Sequence, residues 1–198
     1  MATVQTRVRT TVAPSLRADV APDVLNRARR GDQEAFAHLI RHYDRGLRTL
    51  AYRLLGDRDR MDDALQDAYV KAFRALPRFR GESKLGTWLY RIAYNACLDE
   101  LERGRRVVHL PLDELGEHPA PTADPADAAG ARQDLEAALG SLSREERAAV
   151  LLVDADGFDY RDAGEILGVP AGTIASRLNR ARARLRHALA EVPAGAEA

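Results

Sequence analysis

From Asp32 onward, Phe36, Leu39, Ile40, Tyr43, Leu47, Leu50 and Leu54 recur at three- and four-residue steps, and Gly56 follows as a stop. That spacing places all of them on one face of a helix, with Asp32 as its N-cap. A second helix is expected from about Asp59 to Leu76, where Pro77 ends it. It turns Ala64, Leu65, Ala68, Tyr69, Ala72 and Phe73 inward and leaves Asp63, Gln66, Asp67, Lys71 and Arg74 on the other face. A third reads TWLYRIAYNACLDEL, with Thr87 as the expected N-cap, Leu89, Ile92, Ala93 and Ala96 on one side, and Trp88, Arg91 and Asn95 on the other. The expected first domain is therefore a helical bundle over residues 22–106, preceded by a disordered arm, residues 1–21.

Over residues 107–132 the helical period disappears and four of the nine prolines occur, which reads as a flexible linker. Its 26 residues, extended at ~3.3 Å each, reach about 85 Å, more than two turns of duplex DNA. A second helical domain follows over residues 133–190, leaving a tail, residues 191–198. SLSREERAAVLLV starts a helix with Ser143 as cap and Glu146 three residues on, a capping box. That helix ends around Asp156 with Gly157 as a left-handed stop, and Asp159 caps YRDAGEILG. After Gly168, VPAGTIASRLNRARARLR forms a third helix with Ile174, Leu178, Ala181 and Leu185 inward. The fold class is all-α: two small helical domains, a bundle and a helix-turn-helix, joined by the linker.

The acid-rich stretch DADGFDY invites a metal reading, since Asp154, Asp156 and Glu165 take the first, third and twelfth places of a calcium loop. Phe158 and Asp159 fill the fifth and sixth, where a ligand and a glycine are required, so the carboxylates are read as helix punctuation instead. His38 and His42 stand one helical turn apart without a third ligand and are read as surface or half-buried side chains. No metal and no cofactor is expected. One cysteine, Cys97, sits in an apolar helical pattern, which suits a buried thiol and a reducing, cytoplasmic compartment. No run of eighteen apolar residues is present, so no membrane insertion is expected.

Thirty basic and thirty acidic residues cancel, but lysine occurs only at Lys71 and Lys84, so the positive charge is nearly all guanidinium. Charge is also segregated: residues 171–190 hold five arginines and no acid. A capped helix, a glycine turn and an arginine-rich helix make a helix-turn-helix whose second helix can lie in a major groove. Thr173, Ser176 and Arg177 are placed for base edges or phosphates, Arg180 and Arg184 for the backbone. An arginine-rich helix docked on an acidic protein surface is the alternative. In LPRFRGESKLGTWLYRIAYN, aromatic and basic residues interleave, which suits unpaired bases stacking on rings while phosphates meet cations. Trp88 and Tyr94 as plain core residues remain the alternative there.

Together, MDDALQDAYVKAFRALPRFRGESKLGTWLYRIAYNACLDELERGRR and LSREERAAVLLVDADGFDYRDAGEILGVPAGTIASRLNRARARLR resemble bacterial RNA polymerase sigma factors of the extracytoplasmic-function group. The resemblance implies a subunit that binds core polymerase and directs promoter-specific initiation, here under stress. By similarity, Asp62, Asp63, Gln66 and Asp67 would dock on the clamp helices of the largest catalytic subunit. A further contact with the beta flap region is implied. Phe79, Arg80, Ser83 and Lys84, with Trp88, Arg91 and Asn95, would recognise the minus-10 element and capture an extruded base. Thr173, Ser176, Arg177, Arg180 and Arg184 would read the minus-35 element. An anti-sigma partner is implied as well. Ala175 stands where a basic residue is common, Asn179 where histidine is frequent, and Gly164 replaces a usual alanine at about 1 kcal/mol of helix propensity.

Two other classes remain open from the residues alone: a helix-turn-helix repressor or activator independent of polymerase, and an adaptor whose charged faces serve protein contacts. No Ser, His and Asp order, Gly-rich phosphate loop or three-ligand metal set is present, which argues against an enzyme.

Overall fold

The computed structural model describes residues 20–107 and 135–190, and every regular element among them is helical. The arm, most of the linker and the tail expected from the sequence lie outside the described residues. Helix α1 (Pro22–Arg29) opens with proline at its first position, where no backbone donor is needed, and ends with Arg27 and Arg29 against the negative end of its dipole. Gly31 then takes a positive φ of 90°. Asp32 caps α2 (Gln33–Leu55) by accepting from the Ala35 N–H at 3.0 Å, and Gly56 closes it in the left-handed conformation. Asp57 caps α3 (Arg58–Ala75), which tightens into a 3₁₀ turn, Leu76–Arg78, at Pro77.

Helix α4 (Leu85–Val107) begins two residues before the expected cap. Thr87 lies inside the helix, is fully buried, and its Oγ1 has no hydrogen-bond partner among the described residues. Tertiary packing, not capping, places it there. Of the expected inward face Leu89, Ala93 and Ala96 are buried and Ile92 is half-buried; Cys97 is buried as well, and so are Tyr90, at 0% exposure, and Trp88, at 9%. Burial pushes the Cys97 thiol up to about 12, so it packs as a small apolar group.

Residues 135–140 are helical (α5). Ser143 and Glu146 form the expected capping box at the start of α6 (Arg144–Val150). Helix α6 then widens into a π turn, Leu151–Ala155, closed by the Asp156 N–H donating to the Leu151 carbonyl at 2.9 Å. Gly157 reverses the chain with φ 75°. Asp159 caps α7 (Tyr160–Leu167), and the left-handed Gly168 leads into α8 (Ala171–Ala190), which buries Ile174, Leu178 and Ala181. A Cβ on Gly164 would lie 2.6 Å from the Val169 carbonyl oxygen. Glycine at this position therefore does more than lower helix propensity: the turn into α8 folds directly over it.

The two groups of helices pack on each other, α4 against α7 and α2 against α6, and their apolar residues form one continuous cluster. Gly46, in the middle of α2, lies under Tyr90 of α4, with Asp156 of the second group beside them. A Cβ there would overlap the Tyr90 hydroxyl oxygen and lie 3.6 Å from Asp156 Oδ1. Alanine at this position raises helix propensity by about 1 kcal/mol yet forces the rigid Tyr90 ring to move. Gly46→Ala is therefore expected to destabilise the chain by about 1–3 kcal/mol, the usual cost of overpacking, in urea unfolding.

Candidate nucleic-acid interface

The basic and aromatic residues singled out between Phe79 and Arg91 converge at the start of α4. Leu76 anchors the 3₁₀ turn in the core, and the Phe79 N–H donates back to its carbonyl at 3.0 Å, which carries the Phe79 ring onto Trp88, 5.2 Å between centroids. Both rings are largely buried against each other, so Trp88 is not the open stacking platform that its position on the far face of α4 suggests. Around them Arg80 and Lys84 are exposed, and Ser83 and Arg91 are half-buried. Phe79, Arg80, Ser83, Trp88 and Arg91 bound a cavity of about 360 Å³. Asn95 is exposed one turn further along α4.

Glu165 of α7 closes the same cavity, and Arg91 Nη1 donates to its Oε1 at 3.2 Å. Lys84 Nζ donates to Asp162 Oδ2 at 2.6 Å and lies 3.7 Å from Asp159 Oδ2, and the hydrogen bond to Asp162 raises its pKa. Neither of these pairs is legible in the sequence, because 74 and 78 residues separate the partners.

The three carboxylates of DADGFDY go three ways. Asp154 accepts two hydrogen bonds from Arg182, at 2.6 and 3.1 Å, a bidentate pair that joins α6 to α8. Asp159 caps α7. Asp156 is half-buried beside Tyr90, and desolvation pushes its carboxyl up to about 7, with the Tyr90 hydroxyl pulling slightly the other way.

On α8, Thr173 and Arg177 are half-buried and Ser176 is exposed, with its hydroxyl donating to the Thr173 carbonyl at 2.9 Å. Arg180 and Arg184 are not free. Arg180 Nε donates to Glu146 Oε1 at 3.4 Å and Arg184 Nη1 to Glu146 Oε2 at 2.8 Å, and Glu146 itself is only 4% exposed. Burial opposes its charge, but the Ser143 N–H and the Arg184 and Arg180 guanidiniums outweigh that and hold its pKa below the ordinary value. The capping box identifies Glu146 in the sequence, but its second task, holding two arginines of the reading helix, depends on the α6–α8 packing and leaves no local signal.

At the opposite end of the bundle, Asp62, Asp63 and Gln66 are exposed on α3 and Asp67 is half-buried. Asp62 accepts from Arg48 Nη1 at 2.8 Å and Asp67 from Arg103 Nη2 at 2.8 Å. Beside them Phe36, Leu65, Tyr69, Val70 and Phe73 line an apolar groove of about 780 Å³.

Family models described as "Sigma-70 region 2" and "Sigma-70, region 4" match residues 39–107 and 132–185. The ECF RNA polymerase sigma factor SigM of Mycobacterium tuberculosis is 39% identical over 165 residues, covering 83% of this chain and 82% of its own. The chain belongs to the extracytoplasmic-function sigma factors. The ECF RNA polymerase sigma-E factor of Escherichia coli is 34% identical over 176 residues, covering 80% of this sigma factor and 88% of its own length. Two solved structures share its fold, each with a TM-score of 0.65. One is CnrH in complex with the cytosolic domain of CnrY, 27% identical and covering 86% of this chain and 97% of that one. The other is the sigma factor RpoE of Bartonella quintana in complex with the anti-sigma factor NepR, 33% identical and covering 79% and 98%.

These two complexes correct one expectation. Both of those sigma factors are held by partner proteins, which sits oddly with an unqualified cytoplasmic label, and the expectation is cut back accordingly. What the structure supports is narrower: among the described residues no helix is long and apolar enough to cross a membrane.

The Asp156 carboxyl titrates near 3.8 in an unfolded chain and at about 7 in the folded one. Below pH 3.8 it is protonated in both states. As pH rises toward about 7 the unfolded state ionises first, so this residue's contribution to stability is lost over that window and is constant above it. The stability of the native chain minus that of Asp156→Asn, followed by thermal unfolding, is expected to fall from about pH 4 to about pH 7 and then level off. For Glu146, the alanine variant strips the Ser143 N–H and two guanidiniums of their acceptor. Its expected cost is about 2–3 kcal/mol, with Glu146→Gln retaining the cap and recovering part of it.

Proposed function

We propose that this sigma factor binds core RNA polymerase through the acidic end of α3, takes one strand of the minus-10 element at the start of α4, and reads the minus-35 duplex with α8. The observation that carries this reading is the combination, in one chain and in the family's order, of two surfaces. One is a crowded cationic and aromatic surface at Phe79–Arg91; the other is a helix-turn-helix whose second helix has five arginines and no acid.

In this reading Asp62, Asp63, Gln66 and Asp67 pair with basic residues of the clamp helices of the largest polymerase subunit, and the apolar groove beside them takes side chains from the same coiled coil. The second unit also meets the beta flap region. Arg80, Ser83, Lys84, Arg91 and Asn95 hold phosphates and edges of the non-template strand, while Phe79 and Trp88 wall the cavity that receives an extruded base. Unpairing costs about a few kcal/mol, which pocket stacking and polymerase contacts offset, so melting needs no ATP. Thr173, Ser176 and Arg177 face bases, and Arg180 and Arg184, oriented by Glu146, meet backbone phosphates. By analogy with the Bartonella RpoE complex, an anti-sigma protein is a further partner.

Arg177→Ala is expected to lower promoter-specific transcription by about tenfold or more, the range for one lost base contact, while core binding measured by native gel shift is unchanged. The pair Asp63→Lys and Asp67→Lys is expected to do the reverse, abolishing the core complex while duplex binding survives. Loss of the same function to the same extent in both variants would refute this division of labour.

A further inference from the structure

Helix α1 lies ahead of the stretch matched by the region 2 model, which begins at residue 39, and the proposed function assigns it no role. A helix of 8 residues is too short to hold in water alone, so α1 exists by packing. Its inward side is small: Ala28 is buried, and Val24 and Leu25 are half-buried. Its outward side carries Asn26, Arg27, Arg29 and, at the C-cap, Arg30, all exposed. Cations in the last turn suit the helix dipole, and Arg27 serves there while its Nε donates to Asp32 Oδ2 at 2.7 Å. Many other guanidiniums of this chain are likewise held by carboxylates, as those of Arg48, Arg103 and Arg182 are. Arg29, Arg30 and Arg78 are exceptions, with no ion pair or side-chain hydrogen bond among the described residues. A solvated guanidinium keeps its whole planar fork for an incoming phosphate.

These three arginines meet around the 3₁₀ turn, on which α1 packs. Asn26, Arg27, Arg29 and Arg30 of α1 and Pro77 of the turn bound a cavity of about 530 Å³, with Asp23 as the acid in its lining. Arg78, the next residue after Pro77, belongs with Phe79 and Arg80 to the 360 Å³ cavity at the start of α4. The turn is therefore a wall common to both cavities, and one basic surface runs from Arg80 through Arg78 to Arg30 and Arg29. Glu82 stands 4.0 Å from Arg80, but its side chain is 81% exposed and neutralises little of that surface. No aromatic ring lines the α1 cavity, so it can hold phosphates without stacking bases.

We propose that α1 and the 3₁₀ turn form a phosphate track, Arg78, Arg30 and Arg29, that carries single-stranded DNA onward from the cavity at the start of α4, whatever its bases. The proposal rests on the reading of that cavity as the minus-10 site. Toward the minus-35 element the DNA stays duplex, so the strand on the track is the one downstream. Each phosphate held adds about 0.7 to the slope of log affinity against log salt for a single strand.

The test uses holoenzyme carrying Arg29→Gln, Arg30→Gln and Arg78→Gln together, and fluorescein-labelled fork fragments of a promoter at which the native holoenzyme initiates. The non-template strand ends at the minus-10 element or ~10 nucleotides downstream, a length typical of single-strand sites. Native holoenzyme is expected to bind the longer fragment on the order of tenfold more tightly than the shorter one, and the variant to lose that gain. On the longer fragment the salt slope of the variant should be shallower by about 2, three contacts at about 0.7 each, while the shorter fragment binds both alike. Lysine at the same three positions keeps the charge and should restore the slope, which a packing role for these side chains would not do. Equal affinity and slope on the longer fragment, an equal loss on the shorter one, or a loss that appears only when upstream duplex is lengthened would overturn the proposal. Failure of the native chain to direct initiation from core polymerase would instead remove the functional reading, and with it the proposal.

Discussion

Helix α4 has to be buried on nearly every side, and the other helices are arranged around that requirement. Trp88, Leu89, Tyr90, Ala93 and Tyr94 point too widely around the helix to face one neighbour only. Helices α2 and α3 cover part of the surface and α7 covers another part. A helix apolar around so much of its circumference is an interior element, and the polar residues it keeps at its beginning are forced together at the rim. Lys84 and Arg91 occupy that rim next to the Phe79 and Trp88 rings. The concentration of cations and aromatics in one place is thus a by-product of how α4 is buried.

The charges follow a related rule. A chain whose basic residues are almost all arginine, with an equal number of acids, can hold its guanidiniums in defined forks. Arg182 on Asp154, Arg180 and Arg184 on Glu146, Arg48 across Asp44 and Asp62, and Arg103 on Asp67 are all held in this way. Most of these pairs are partly exposed and add little to stability. Their effect is orientation: each fixes a long side chain that would otherwise sample many rotamers, so a surface that binds phosphate or a coiled coil is shaped before its partner arrives. Glu146 differs because it is buried, and losing it would leave two cations without a counter-ion.

What could be read from the sequence follows how local each signal is. The caps at Asp32, Ser143 and Asp159 and the stops at Gly56, Gly157 and Gly168 depend on bonds within a few residues, and each stands where the residues put it. The helix-turn-helix with its inward Ile174, Leu178 and Ala181 was legible for the same reason. Helix α1 was missed because eight residues carry less than three turns of period. Thr87 misled because a threonine before an apolar run looks like a cap whether or not the helix started earlier. Trp88 stands opposite Leu89 in the helical spacing, and that spacing cannot say that the Phe79 ring folds back onto it. The ion pairs between α4 and α7 lie beyond any local pattern, and so does the double duty of Glu146.

Gly164 has an implication for how this protein can vary. Where α7 turns into α8, the main chain of the turn rests on Gly164, leaving no room for a Cβ, which would lie 2.6 Å from the Val169 carbonyl oxygen. The pitch at which α8 is presented to a groove is therefore written into the backbone. Adding even a methyl group there would tilt the whole reading surface before altering a single base contact, so a change in promoter choice could arise from a residue that never touches DNA.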